Sequence, residues 1–465
     1  MENIEKANLT PPDDAVSELG TMPTRKLYIK YWIASLLGMI AQMACGILDG
    51  FFVGNGIGAL GLGAISIVFP FWIIAISIGN LIGVGASSIA AIKLGEGDVA
   101  AARKASGQSF WYGLFLSLII TFAVLANLEA VVRFLGATDD IVPVAMDYMT
   151  AFMPAFPLYV CGFVFFFFIR VDEKPYIGTF IQVVPAIIAI ITEYLMIFKF
   201  DSGIAGSAIG AWGVCVGAFA LLGFNFVFGK SKLKIKWSDA KLDFRLIHEM
   251  NKIGFAAFAI QISATAMAII INNTLANLGG SAEIAAYGII NAYIVYVLSS
   301  IAATFMYGIL PITSYNFGAK AYGRVRDALA FCLKISFVVL YALTALIYIF
   351  KEQILMFFTG GDPTLMAVSS EAMKIFLILY PLGGICMIIS GYFQSVESSG
   401  KALINGLTRN FLIVIPLLLI LPRFMGINGV WVAQPLSDAL AFVIALAFVL
   451  PELKKLKGQA ARLPE

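Results

Sequence analysis

The chain has 465 residues, of which 60% are hydrophobic and only 13% charged, with a formal net charge of +3. Soluble domains run nearer roughly 45–50% apolar and 25% charged, so this balance excludes a water-soluble fold. The long uncharged runs match the ~20 residues that cross a hydrocarbon core.

Residues 1–26 read as a solvated, mixed-charge tail (Glu2, Lys6, Asp13, Asp14, Glu18), with a short surface helix expected over 13–19. The tail lacks the apolar core and cleavage site of a secretory signal. Apolar segments then fall at 27–53, 58–93, 101–128, 141–169, 176–198 and 203–229. A basic linker loop over 230–252 follows, and it reads as a cytoplasmic loop rather than a nucleic-acid site. A second set falls at 253–278, 283–316, 327–350, 364–395, 402–422 and 427–450, before a basic tail over 451–465. The expected fold is an all-α membrane protein: about twelve transmembrane helices in two six-helix bundles, 27–229 and 253–450.

The halves are repeats. An offset of 223 residues pairs Gly95 with Gly318, Gly85 with Gly308, and Gly203-Ile-Ala-Gly206 with Gly426-Ile-Asn-Gly429. Shifted by one, it pairs Phe156-Pro157-Leu158 with Tyr380-Pro381-Leu382. An even number of spans per half makes the repeats parallel, related by an axis along the membrane normal. With both termini inside, about 26 of the 31 Lys and Arg face that side, leaving Arg133, Lys199, Lys351, Lys374 and Arg423 outside. Positive charge marks the cytoplasmic face, so the expected location is the plasma (inner) membrane with both termini cytoplasmic.

Cys45, Cys161, Cys215, Cys332 and Cys386 are scattered and His248 is the sole histidine. That leaves no disulfide framework, zinc site or haem attachment. No P-loop occurs, and no Ser/His/Asp set emerges, so the chain is expected to be no enzyme and to carry no cofactor.

Asp49 and Glu193 are the acids that matter most. Each lies about five residues before the outer end of its span, so they share a depth ~8 Å below the helix ends. A charge in the bilayer is costly. Two carboxylates in one low-dielectric pocket cannot readily both ionise and titrate as a pair, which suits them to carry a coupling proton. Gln42, seven residues before Asp49, shares its helix face. The repeat places Asn272 opposite Asp49 and Pro416 or Leu417 opposite Glu193, so the second bundle lacks the acids. Asp438, near the middle of the last span, reads as a second protonation site, a substrate counter-ion, or a structural partner for Arg409. Arg170, Asp172, Glu173 and Lys174, with Glu397 and Lys401 at the corresponding place in the second half, read as inner-mouth ion pairs, and Phe165–Phe168 as lipid-facing or packing residues.

Ile47-Leu48-Asp49-Gly50-Phe51-Phe52-Val53-Gly54 resembles the first-span motif of the multidrug and toxic compound extrusion (MATE) family, of the bacterial type. So do Pro311-Ile312-Thr313-Ser314-Tyr315-Asn316-Phe317-Gly318-Ala319, Gln394-Ser395-Val396-Glu397 and Gly426-Ile-Asn-Gly-Val-Trp431. The resemblance covers 27–450. It implies antiport of organic cations and drugs against H⁺ or Na⁺, with the coupling site at Asp49 and Glu193. Gln42 matches a polar site residue of some members. Ala189, Ala211 and Cys45 stand where related sequences carry Asn, Thr and Tyr. The second-bundle acid of another branch is unmatched, since Gln261, Asn272 and Asn273 are the polar residues there; Asn272 and Gln261 join Asp438 as the candidates for a secondary coupling or substrate site. This thin oxygen set favours H⁺ over Na⁺ at Asp49. The implied partners are small-molecule drugs or organic cations and membrane lipid, with no nucleic acid and a monomeric chain. The rival readings are a flippase for lipid-linked precursors, which would want a more cationic cleft, and a membrane scaffold that transports nothing.

Overall fold

In hydrocarbon every backbone N–H and C=O must be paired within the protein, which leaves helices or closed barrels. The computed structural model takes the helical solution; it describes residues 17–462 apart from 136, 138, 230, 279–280 and 360–361. The first half comprises α1 (Thr24–Gly56), α2 (Ala59–Gly95), α3 (Val99–Ala126), α4 (Val142–Val171), α5 (Pro175–Phe198) and α6 (Gly203–Val227). The second comprises α7 (Phe244–Leu278), α8 (Ala282–Gly318), α9 (Tyr322–Ile349), α10 (Pro363–Phe376 with Tyr380–Ser395), α11 (Ser399–Met425) and α12 (Ile427–Arg462). Eleven of these are long and apolar enough to cross a membrane singly, and α10 makes twelve when its two pieces, bent by 51°, count as one span.

The duplication reappears in the backbone. Short helices follow α3 and α9 at matching positions, Leu128–Phe134 and Lys351–Thr359. The left-handed residues also match in pairs: Gly97 with Lys320, Glu173 with Glu397, and Gly203 with Gly426. Positive φ is unusual for a glutamate, so its recurrence in both halves marks one turn geometry used twice. The breaks recur too. A 3-10 turn at Met153–Ala155 interrupts α4 before Pro157, and α10 breaks before Pro381. A proline cannot donate the helical hydrogen bond and crowds the preceding turn.

Three boundaries differ from the expectation. α7 begins at Phe244, so of the linker only 231–243 lies outside the long helices, with a 3-10 turn at Trp237–Ala240. α12 runs on to Arg462, because Leu456 is buried in the second-bundle core and Glu452 pairs with Lys401 at 3.0 Å. At the N-terminus the helix is Glu18–Thr21, and Leu19 is buried rather than solvated; the expected start at 13 lies outside the described residues.

The two bundles exchange helix ends. Val53 of α1 sits in the first-bundle core, whereas Leu27, Tyr28 and Tyr31 of the same helix sit in the second. Conversely, Met250 and Ile253 of α7 belong to the first core, and Ile271 and Leu275 to the second. The crossing is tight at the end that bears the chain termini. A Cβ on Gly254 would lie 1.7 Å from the Leu81 carbonyl oxygen, and one on Gly85 2.0 Å from that of Met250. Gly95 and Gly318 make the same backbone-to-backbone fit between α2 and α8. Small residues are what let membrane helices approach this closely. Above the contact, Trp32 stacks on Phe305 (4.7 Å) and donates to Thr304 Oγ1 (3.1 Å), and Tyr307 meets Phe166 and Phe167 edge-on. The Phe165–Phe168 run is therefore packing, with all four side chains buried.

Candidate ion-coupling site

Close packing of α1 and α6 on α5 builds the site. Gly38 leaves room for the Gln182 side chain and Gly56 for Ile197, so α1 lies along α5. Across α5, Gly206, Gly210, Gly213 and Gly217 of α6 fit against Met196, Glu193, Ala189 and Pro185. At the centre of this sandwich the structure brings Asp49 and Glu193 within hydrogen-bonding reach of each other. Ser207 Oγ donates to Asp49 Oδ1 at 2.7 Å. Glu193 is 3% exposed, and its Oε1 has no hydrogen-bond partner among the described residues. A bond between two carboxyl groups requires one proton between them. Cys45 and Tyr148 lie within electrostatic reach of both acids, and Trp72 Nε1 fixes the Tyr148 hydroxyl at 3.2 Å.

The other candidates stand apart. Gln42 is exposed, two turns and ~10 Å along α1 from Asp49, and shares no hydrogen bond with it. Asn272 is exposed, and Gln261 is half-buried with only its backbone carbonyl engaged, by Thr265. Asp438 is fully buried in the second bundle. It receives Arg409 Nε at 2.5 Å and Gln434 Nε2 at 3.0 Å. Arg409 lies over the Tyr380 ring at 4.6 Å, in space that Gly383 leaves free, and its carbonyl accepts from Ser437. Geometrically this is the structural-partner alternative for Asp438.

The expected inner-mouth ion pairing holds for Asp172 and Lys174, at 2.7 Å. It does not hold for Arg170, Glu173 and Glu397, which form no ion pair among the described residues. Arg170 is buried and stacks on Phe166 at 3.6 Å, and it donates to the Phe166 carbonyl (2.7 Å) and Ser35 Oγ (3.3 Å). Glu173 accepts from Ser17, and Lys401 goes to Glu452.

The model of the MatE family matches residues 34–195 and 256–420, one match per bundle. The chain belongs to the MatE family of efflux transporters. Multidrug export protein MepA of Staphylococcus aureus is 25% identical over 428 residues, covering 92% of this chain and 94% of that one. Its counterpart in Staphylococcus saprophyticus is 22% identical, covering 90% and 91%. Two solved structures share the fold. A MOP superfamily transporter from Pyrococcus furiosus has a TM-score of 0.89 at 20% identity, covering 95% of this chain and 98% of that one. A multidrug resistance MATE family transporter in an outward-facing conformation has 0.88 at 21%, with the same coverage.

The transporter's departures from the family pattern make sense in this frame. Ala189 is buried where a Cβ on Gly213 would come 2.9 Å from its Cα, so the helices leave no space for a larger polar side chain there. Ser207 and Tyr148 were missed from sequence. Ser207 was within reach, since it follows Gly206, the first of the glycines that face α5; nothing in the sequence marks Tyr148.

Two results are expected. Gly210→Ala would place a Cβ 2.5 Å from Glu193 Cβ; such overpacking costs about 1–3 kcal/mol. Melting temperature should fall, and efflux should fall with it as Glu193 moves off Asp49. Asp438→Asn should be worse for stability, about 3–5 kcal/mol, because it strands the buried Arg409 charge. The double variant Arg409→Met/Asp438→Leu should melt near wild type; if it does and still exports, the pair is structural.

Proposed function

We propose that the protein is a secondary active antiporter that expels amphipathic organic cations and related drugs in exchange for protons. The observation that carries this reading is the contact between Asp49 and Glu193, a half-buried and a buried carboxyl group braced by Ser207. Asp49, Glu193 and Ser207 supply too few oxygens for Na⁺, since hard cations take roughly six or more; a proton needs only the pair. The MepA relatives support drugs as the cargo. With the termini cytoplasmic, the tight bundle contact closes the inner face and the acids sit towards the outer one.

α1 provides the linkage. Its outer half carries Asp49 in the first bundle, while Tyr28, Tyr31 and Trp32 of its inner half lie on the second. Protonation from outside neutralises the pair, relaxes α1 against α5 and reshapes the cleft, and the drug leaves outward. Reopening inward lets the proton go and a new cation bind. The cycle requires that proton and drug favour different states.

The test is ethidium efflux from vesicles under an imposed pH gradient without Na⁺, and under an imposed Na⁺ gradient without ΔpH. Export driven by ΔpH alone supports the reading. A strict need for Na⁺ would turn Asp49, Glu193 and Ser207 into part of a cation cage, and no export under either gradient would overturn the antiporter.

A further inference from the structure

We propose that the 231–243 segment is a preformed clamp for the headgroups of anionic phospholipids in the leaflet at the termini-bearing end of the bundles. The segment sorts its charges. Lys232, Lys234 and Lys236 are exposed, whereas Leu233 is buried and Ile235 half-buried between them. Lys232 stands on a turn and Lys234 and Lys236 follow it two and four residues on, with the apolar residues between them turned inward, and Lys241 is exposed beyond them.

The acids turn the other way. Asp239 is buried, accepts from the Lys236 backbone at 3.0 Å and faces Arg103 at 3.9 Å. Asp243 is taken by Lys104 at 2.6 Å, and this bond holds its carboxyl below the ordinary range. The described ion pairs of the segment thus use Arg103 and Lys104 and leave all four lysines unmatched.

The face is rigid. Asp172 Oδ1 receives Ser231 Oγ (2.9 Å) and the Lys232 N–H (3.0 Å). Gln108 donates to the Asp239 and Lys241 carbonyls and accepts from the Asp243 N–H. Trp111 Nε1 donates to the Lys236 carbonyl at 3.2 Å. These bonds tie down the backbone that carries the lysines, while their side chains stay free to reach a ligand.

An aromatic ladder sets their level. Trp237 is 85% exposed and its ring lies 5.1 Å from Trp111, which lies 5.7 Å from Phe115 on the outer face of α3. Phe228 and Phe244 are exposed at the two ends of the linker. Indoles collect at the membrane–water boundary, so the ladder runs from the apolar belt to the lysines and places them at headgroup height. Each ammonium near an anionic surface strengthens association roughly fivefold. An acidic protein or nucleic acid would meet the lysines from the aqueous side and leave the ladder unexplained.

The test uses the full-length protein in detergent, titrated with phosphatidylglycerol or with phosphatidylcholine of the same chains, and reads melting temperature. Phosphatidylglycerol should raise it by several degrees more than phosphatidylcholine. Lys232→Gln/Lys234→Gln/Lys236→Gln/Lys241→Gln should lose that excess, and the four single variants should lose it stepwise. Lys454→Gln/Lys455→Gln/Lys457→Gln should keep it. Equal shifts with both lipids, an excess that survives the fourfold variant, or equal loss in the tail variant would overturn the clamp. So would stabilisation by soluble polyglutamate that matches phosphatidylglycerol.

Discussion

Asp49→Asn is expected to cut ΔpH-driven ethidium efflux by about 10- to 100-fold, the range of a typical coupling free energy, while the protein still folds. Asparagine keeps the size of the side chain and an oxygen for the 2.7 Å bond from Ser207. It cannot ionise, so on the proposed mechanism the pair could no longer take up and release the coupling proton. The packing around the site is carried by glycines and apolar side chains of α5 and α6, which the substitution leaves untouched. Glu193→Gln should act in the same direction. Ser207→Ala should act more weakly, because it removes one neutral-donor bond and leaves both acids. The measurement is initial efflux rate at matched protein levels, with ethidium binding to purified protein as the control for folding. Wild-type efflux by Asp49→Asn under a pH gradient would sink the proton-pair mechanism.

The second large effect lies at the opposite end of the molecule. Gly254→Ala should abolish turnover by preventing the bundles from meeting. The added Cβ would lie 1.7 Å from a backbone oxygen of α2, and no rotamer change relieves a clash with a helix carbonyl. The helices must part, and the contacts above them part too: the Trp32–Phe305 stack and the two rings on Tyr307. Each aromatic pair is worth roughly 0.5–1.5 kcal/mol, so the closed state loses several kcal/mol against the open one. The parting withdraws Met250 and Ile253 from the first core and leaves the rest of both cores in place, so the variant should fold and insert. A reporter is Ser35→Cys in a Cys45→Ser background, since Ser35 is buried beneath the closure beside Arg170. A membrane-impermeant maleimide added on the termini side should leave this introduced thiol unmodified while Gly254 is present, and label it once Gly254→Ala is added. Normal export by the Gly254→Ala variant, with the thiol still protected, would show that the close approach is dispensable.

Helix number, the duplication and the two acids were legible from the residues because each has a one-dimensional signature. Apolar run length counts spans, a fixed offset finds the repeat, and a carboxylate in hydrocarbon announces itself by its cost. The depth argument for Asp49 and Glu193 needed only the rise of a helix, and the contact between them agrees with it. Arg170 resisted the same reasoning. Near Asp172, Glu173 and Lys174 it looked like part of an ion pair, yet a left-handed turn at Glu173 sends the acid to Ser17 and leaves the guanidinium on Phe166. Gln42 differs in another way: α5 packs on α1 both below it, at Gly38, and above it, at Gly56, yet the Gln42 side chain is exposed and shares no hydrogen bond with Asp49.

What the residues determine alone is therefore what depends on composition and period: a membrane fold, about twelve helices in two repeats, and an acid on each of two spans. Tertiary structure alone decided that α1 and α7 trade ends between the bundles, that Ser207 braces Asp49, that Asp438 is matched to Arg409, and that the bundles close at the termini-bearing end. These depend on which helix faces meet. Helix faces meet where glycines happen to lie opposite carbonyls on helices distant in sequence, and no local pattern records that pairing.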